Sequence, residues 1–441
     1  MRTLALLLLG CAATEDPAPP VDPPDDVDTV DAVDTDVPPP DPEVETDPPV
    51  DTAPPEPPEV VGLCQLSITC PGPIPDAPRL RCDLTVADAA GNVAWDGPAG
   101  IQLRGRSSVS FPKPQLSVEL WDAADQELSA NLLGMGAEAD WVINGAYIDR
   151  ALLRNHLAFH LFQGLGGPER YAPESRTCRA RFNGRPSGVF FLTETIKRDD
   201  DRVDIPDDPA GDAFVVKLDD EAGLLDNSAV GYGAWQAVSP RSPTPDQTAG
   251  ILRALQGWQA ALLGRRPADP VDGIFAFVDL DSAVDFVLLQ ELVRNNDAFY
   301  LSIHLWKDAG GGLRFAPWDL DLSLGQPTYN DNTNPEGWVA YRPTMIARMA
   351  EVPAFRAALA RRWRDLRAGP WSDAALLAAI EAQYTLLGPD LQANFAVWTW
   401  TDIPLYWPTL PEVAGPEEEY DRIRAWLPTR TAWIDGAIDA W

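Results

Sequence analysis

Three aspartates, Asp297, Asp319 and Asp321, flank a stretch with the pattern of a β-hairpin. Residues 301–306 and 313–317 are two apolar runs, and Lys307-Asp308-Ala309-Gly310-Gly311-Gly312 between them is the kind of Gly-rich link that turns a strand back on its neighbour. A hairpin returns the chain to the side it started from, so Asp297 before the first strand and Asp319 and Asp321 after the second are expected to converge. Carboxylates so close together are costly unless a cation or a shared proton relieves them, and hard oxygen ligands of this kind suit Mg2+ or Mn2+. Their ordinary use would be to cap helices or to pair with arginines such as Arg314.

Two sets of elements have to position these acids. Residues 81–86, 100–104, 115–121, 175–182, 188–193 and 213–218 are short apolar runs cut by Gly, Pro and Asn, which read as strands of a mostly antiparallel sheet. One helix interrupts them over 148–162, where Leu152, Leu153, His156, Leu157, His160 and Leu161 follow Asp149 at helical spacing. After Pro245 the periodicity is helical, over 248–263, 281–294, 345–367, 372–387 and 418–438. The expected fold class is α+β, with a strand-rich lobe over 61–240 followed by a helical lobe over 241–441. No internal repeat is present.

The formal net charge of −33 argues against a nucleic-acid partner, whose phosphates call for a basic surface. Much of that charge is local. Residues 15–59 hold 16 acids, 15 prolines and no Lys or Arg. Such a segment buries too little apolar surface to offset its chain entropy, so 12–60 reads as a disordered, extended tether. The EF-hand spacing is absent from it. Ahead of the tether, Arg2, the apolar run Leu4 to Leu9 and Leu8-Leu9-Gly10-Cys11 resemble a lipoprotein signal with its lipobox over 1–11, with Cys11 as the lipidated residue. Ala12 after that Cys resembles the pattern that directs lipoproteins to the outer membrane. With Cys11 set aside, Cys64, Cys70, Cys82 and Cys178 allow two disulfides in any of three pairings, as an exported protein permits.

Other chemistries lack their signatures. His156 and His160 are one helical turn apart, but no H-E-x-x-H motif accompanies them. The G-x-S-x-G elbow and the Walker A loop are also missing. The tryptophans from Trp363 onward, including Trp398, Trp400 and Trp407, suit either a core or a sugar platform on a cell-surface binding protein.

Several separated runs occur in one order: RGRSSVSFPKP with Lys113, LLGMGAEADWVINGAYIDRALLRNHLAF, FNGRPSGVFFLTETIKRDDDRVDI, NND and PWDLDLSLG. Together they resemble the spore coat protein H (CotH) kinase family over about 101–324, and IRAWLPTRTAWIDGAI is similar to that family's terminal helix. The resemblance implies a bilobal, atypical protein-kinase-like fold that binds ATP with Mg2+ and phosphorylates protein Ser or Thr hydroxyls. It also implies roles: Asp297 orients the acceptor hydroxyl, Asp319 and Asp321 hold the metal, Lys113 binds phosphate, and Arg104, Ser107 and Ser108 donate to the phosphates. Glu194 would stand at an interlobe hinge that meets adenine, next to the exposed charges Lys197 and Arg198. Five places after the catalytic Asp, protein kinases carry an Asn for the second Mg2+; here that metal position is Ser302. The expected function is therefore a lipid-anchored kinase acting on a surface protein, the alternatives being a weak pseudokinase or an envelope binding protein.

Overall fold

Alternation of apolar and polar residues gives each strand of the first half one inward row of side chains. In the computed structural model, which describes residues 62–167, 169–327, 332–399 and 413–441, these rows line a closed barrel. The lipobox Cys11, the whole of the tether, Trp400 and Trp407 lie outside the described residues. The barrel strands are β1 (Cys64–Thr69), β2 (Leu80–Ala87), β3 (Val93–Leu103) and β4 (Leu116–Leu120). A two-stranded ribbon of β5 (Ala130–Asn131) and β6 (Ala137–Glu138) comes next, then β7 (Asp140–Asn144). Beyond helix α1 (Arg154–Gln163), β8 (Ser175–Phe182) and β9 (Arg185–Glu194) complete the barrel, in the order β1-β2-β3-β4-β7-β9-β8. Leu84, Ile101, Val118, Trp141 and Phe190 fill its interior.

The expected antiparallel sheet is thus corrected to a closed seven-stranded barrel. The closing pair, β1 with β8, is parallel and aligns Cys64 with Cys178 across more than a hundred residues of chain, which no local pattern encodes. Two disulfides secure that geometry, Cys64–Cys178 at the closure and Cys70–Cys82 between β1 and β2, which selects one of the three pairings.

The strand expected over 213–218 forms, but outside the barrel. It is β10 (Phe214–Asp219), the centre of a second sheet with β11 (Leu225–Asp226) and β12 (Ala234–Ser239). The hairpin completes this sheet as β13 (His304–Lys307) and β14 (Arg314–Ala316), in the order β11-β12-β10-β13-β14. Behind it stand α2 (Pro245–Leu263), started by a Thr244–Gln247 capping box, and α3 (Leu280–Val293), whose run from Ser282 to Val293 is buried on every face.

The helix expected over 345–367 is two, α4 (Thr344–Ala350) and α5 (Pro353–Arg367), because Pro353 cannot continue the first and suits the opening turn of the second. α6 (Asp373–Leu387), α7 (Pro389–Val397) and α8 (Pro416–Ala437) follow. The helix expected from residue 148 begins six residues late. Leu152 adopts φ 52°, which no helix continues through, and Asp149 caps the new start by accepting from the N–H groups of Leu153 and Arg154 at 2.8 and 2.7 Å. Trp363 is 1% exposed and Trp398 donates its indole N–H to the Ser187 carbonyl, so both are packing residues.

Candidate active site

The expected hairpin forms, with His304 opposite Ala316 and Trp306 opposite Arg314, its first strand starting at His304 and not at residue 301. Short bonds tie its two ends together. Arg294 ends α3 in the left-handed conformation and turns the chain into Asn295-Asn296-Asp297. The Asn296 N–H donates to the Leu322 carbonyl at 2.9 Å, and the Asn295 amide donates to the Asp319 carbonyl at 3.3 Å. Ser302 and Asp319 both sit at positive φ, 59° and 64°, and the Ser302 hydroxyl donates to Asp319 Oδ2 at 3.0 Å. Ser302 therefore precedes β13 and faces the aspartates. From α1, Asn155 Oδ1 accepts the Leu320 N–H at 2.6 Å and fixes the second acidic turn against the first helix.

Burial, followed by the Asp319 charge, raises Asp297 from 3.8 to about 6. Burial also lifts Asp319, with the Ser302 hydroxyl and Arg104 opposing and Asp219 adding to the rise. Asp321 is pushed well above its ordinary value by burial and then by Asp319, Asp149 and Asp297, against the pull of Arg154. Asp319 is nevertheless solvent-exposed. Water reaches the residue, while the protein packed around it still desolvates the carboxylate. Among the described residues, no group of three or more His, Cys, Asp or Glu side chains stands close enough to hold a metal ion. The expected convergence is thus electrostatic, and a ready-made cage of three acids is not formed.

The donor set fits a hard cation all the same. Asp319, Asp321 and Ser302 offer only oxygen, and Mg2+ commonly takes one or two carboxylates and keeps waters for its other positions. Carboxyls raised by burial and by neighbouring acids are the ones a cation would return to their charged form.

Arg104, at the mouth of β3, stands 5.2 Å over the Trp318 ring and is attracted by Asp319; its buried Nη1 has no hydrogen-bond partner among the described residues. The loop after it turns through Gly105 at φ +102°, where a Cβ would lie 1.8 Å from Ser108 Oγ. Ser107 is exposed, and the Ser108 hydroxyl bonds within the loop to the Arg104 carbonyl at 3.3 Å. Arg104 and Ser302 thus join the aspartates, while Ser107 and Ser108 stay in the neighbouring loop.

Lys113 and Glu194 stand apart. Lys113 is 2% exposed and donates to the Val189 carbonyl at 2.5 Å and to Asn394 Oδ1 at 2.9 Å. Burial lowers it from 10.5 to about 7 against the attraction of Asp149. Glu194 ends β9; its Oε2 accepts from the Glu174 N–H at 2.8 Å and the Tyr171 hydroxyl at 3.1 Å, and burial lifts it to about 7. Its own backbone N–H is already given to the Glu174 carbonyl. Lys197, expected as an exposed hinge charge, pairs with Glu138 and Asp140 at 3.0 and 2.9 Å. His156 bonds Ser175 Oγ at 2.6 Å and is lowered to about 4 by burial, a packed core residue.

Sequence reasoning missed Asn155, Asn394 and Asp219, for nothing in their spacing points to the site. It also missed the frame beneath. Arg154, 0% exposed, joins Asp149 and Glu419 at 2.5 Å each and donates to the Ser323 carbonyl, so α1, α8 and the acidic turn are locked together.

No curated protein matches the chain. The sequence profile of the CotH kinase protein family matches residues 101–434, a span that runs from β3 through both acidic turns and into α8. With that match over most of its length, and with the two acidic turns held face to face inside it, the chain belongs to the CotH kinase family.

Proposed function

We propose that this protein is a Mg2+-dependent kinase that transfers the γ-phosphoryl of ATP to Ser or Thr hydroxyls of a cell-surface protein. The observation that carries this reading is the juxtaposition of Asp297 with Asp319 across the hairpin, each carboxyl raised by burial and like charge. Asp297, held near 6, is matched to take a hydroxyl proton at neutral pH. Asp319 and Asp321, with Ser302, would hold Mg2+, which supplies positive charge to the phosphates. Arg104, with one unpaired N–H, offers a donor for the transferring group.

In this reading the barrel is the first lobe of a bilobal kinase-like body and the helical half is the second. Residues 1–11 are the export signal and lipobox, Cys11 is the lipid anchor in the outer membrane, and 12–60 is the tether. The two disulfides support an exported location. A pseudokinase is the second reading, favoured by Ser302 standing where protein kinases carry an amide ligand and already bonded to Asp319.

Nucleotide binding with and without Mg2+, paired with a phosphoryl-transfer assay, tests both. Asp319→Asn should lose Mg2+-dependent binding, whereas Asp297→Asn should bind ATP and lose transfer. Equal loss of binding in both variants removes the separation of roles. Binding without any transfer by the wild type establishes the pseudokinase.

A further inference from the structure

Left-handed backbone is concentrated around the two acidic turns. Of the nine non-glycine residues with positive φ among the described residues, four lie here. Arg294 at 48° and Ser302 at 59° bracket the first turn, and Asp319 at 64° and Leu324 at 48° bracket the second. A side chain disfavours this conformation, so it persists only where the surroundings fix it from several directions.

At Asp319 the fixing can be followed bond by bond. The peptide group joining Asp319 to Leu320 is gripped at both ends: its carbonyl accepts from the Asn295 amide at 3.3 Å, and its N–H donates to Asn155 Oδ1 at 2.6 Å. Asn295 belongs to the first acidic turn, and its amide also donates to Gln290 Oε1 at 3.0 Å. Asn155 belongs to the opening turn of α1, next to Arg154, whose Nε donates to the Ser323 carbonyl at 2.8 Å. Consecutive residues of α1 therefore hold the second turn near its start and near its end. The Ser323 hydroxyl closes that turn on the Leu320 carbonyl at 2.6 Å. Leu320 is 0% exposed, so without Asn155 its N–H would be left buried with no acceptor.

We propose that Asn155 is a positioning residue which, with Asn295, clamps the Asp319–Leu320 peptide group and so holds Asp319 in the left-handed conformation that presents its carboxylate to Ser302 and to a divalent cation. The inference rests on the metal role given to Asp319 above. An Asp319 free to become extended or right-handed would turn the peptide group away from both amides and carry its carboxylate off the Ser302 hydroxyl. Asparagine suits the post because its neutral oxygen accepts the N–H without adding another charge to a site that already holds three aspartates.

The acidic segment 15–59 contains no leucine, so NMR of the full chain labelled with 15N-leucine reads the site apart from any cation held by that segment. In the wild type the Leu320 N–H should exchange slowly with solvent and be broadened by Mn2+. Asn155→Ala should speed the exchange at least tenfold and raise the Mn2+ concentration for half-broadening at least tenfold. Asn155→Ser, too short to reach the N–H, should do the same. Asn155→Asp keeps the accepting oxygen and should restore slow exchange, with Mn2+ bound no more weakly than by the wild type. Asn332→Ala removes a bond to the Leu322 carbonyl of the same turn without touching the clamped peptide group, and should keep the wild-type Mn2+ response. If the Ala and Ser variants at Asn155 take up Mn2+ as the wild type does, or if Asn332→Ala loses as much as they do, the clamp does not position Asp319 and the proposal falls while the metal site stands. If Mn2+ leaves the wild-type Leu320 signal sharp at every concentration, the metal role of Asp319 falls with it.

Discussion

Replacing Asp297 by Asn should stabilise the protein while it abolishes transfer. Asp297 is half-buried, and its carboxyl is raised from 3.8 to about 6 by burial and by Asp319. A group whose pKa is higher folded than unfolded binds more protons in the native state, so wild-type stability falls as the pH climbs from about 4 to about 6 and is level above. The two-unit rise corresponds to at most about 3 kcal/mol, and the partial exposure of Asp297 trims this to about 1–2 kcal/mol. Asn has nearly the same shape and no charge. Its gain should be near zero at about pH 4 and complete by about pH 7. Urea denaturation of the two proteins at several pH values, with disulfides intact, measures the difference. A variant no more stable than wild type at neutral pH, or a gain that persists unchanged at about pH 4, refutes the electrostatic reasoning.

Ser302→Asn should raise phosphoryl transfer with little change in ATP affinity, because the second metal ligand matters most as charge develops in the transition state; a transfer assay on both proteins decides. Arg430→Met should destabilise by about 1–3 kcal/mol in thermal denaturation, since it takes the buried donor away from the Glu291 and Gly337 carbonyls while Arg342 and the Trp441 indole still hold the Glu291 carboxylate. Mass spectrometry of the native protein should find a lipid on Cys11 and no free thiol, with peptides linked as Cys64–Cys178 and Cys70–Cys82. Removing the first of these, which spans 114 residues, should cost about 2–5 kcal/mol in urea denaturation.

The hairpin and its flanking acids were legible because turn chemistry and apolar runs are local. So were α2, α3 and α6, whose helical periodicity over 248–263, 281–294 and 372–387 falls on the helices that form, α2 starting three residues earlier at its Thr244 cap. The barrel was not legible. Its strands are recognisable one by one, but its closure depends on a parallel pair formed between remote segments. α7 was missed as well, being a nine-residue helix entered through Gly388 and Pro389 with little periodicity to announce it. With α7 went Asn394, and with Asn394 the environment of Lys113.

Sequence alone settled that Asp297 and the Asp319–Asp321 pair lie on one side of a turn, since two short strands and a Gly-rich link hold their ends together whatever surrounds them. Only the tertiary structure decided what each charge faces. Lys113 meets an amide 281 residues away, and Arg154 meets Glu419 across 265 residues. Closing such long loops costs little more than closing shorter ones, so spacing along the chain carries almost no information about which partner is met. Packing makes that choice, and with it sets which groups are desolvated and how far their proton affinities move.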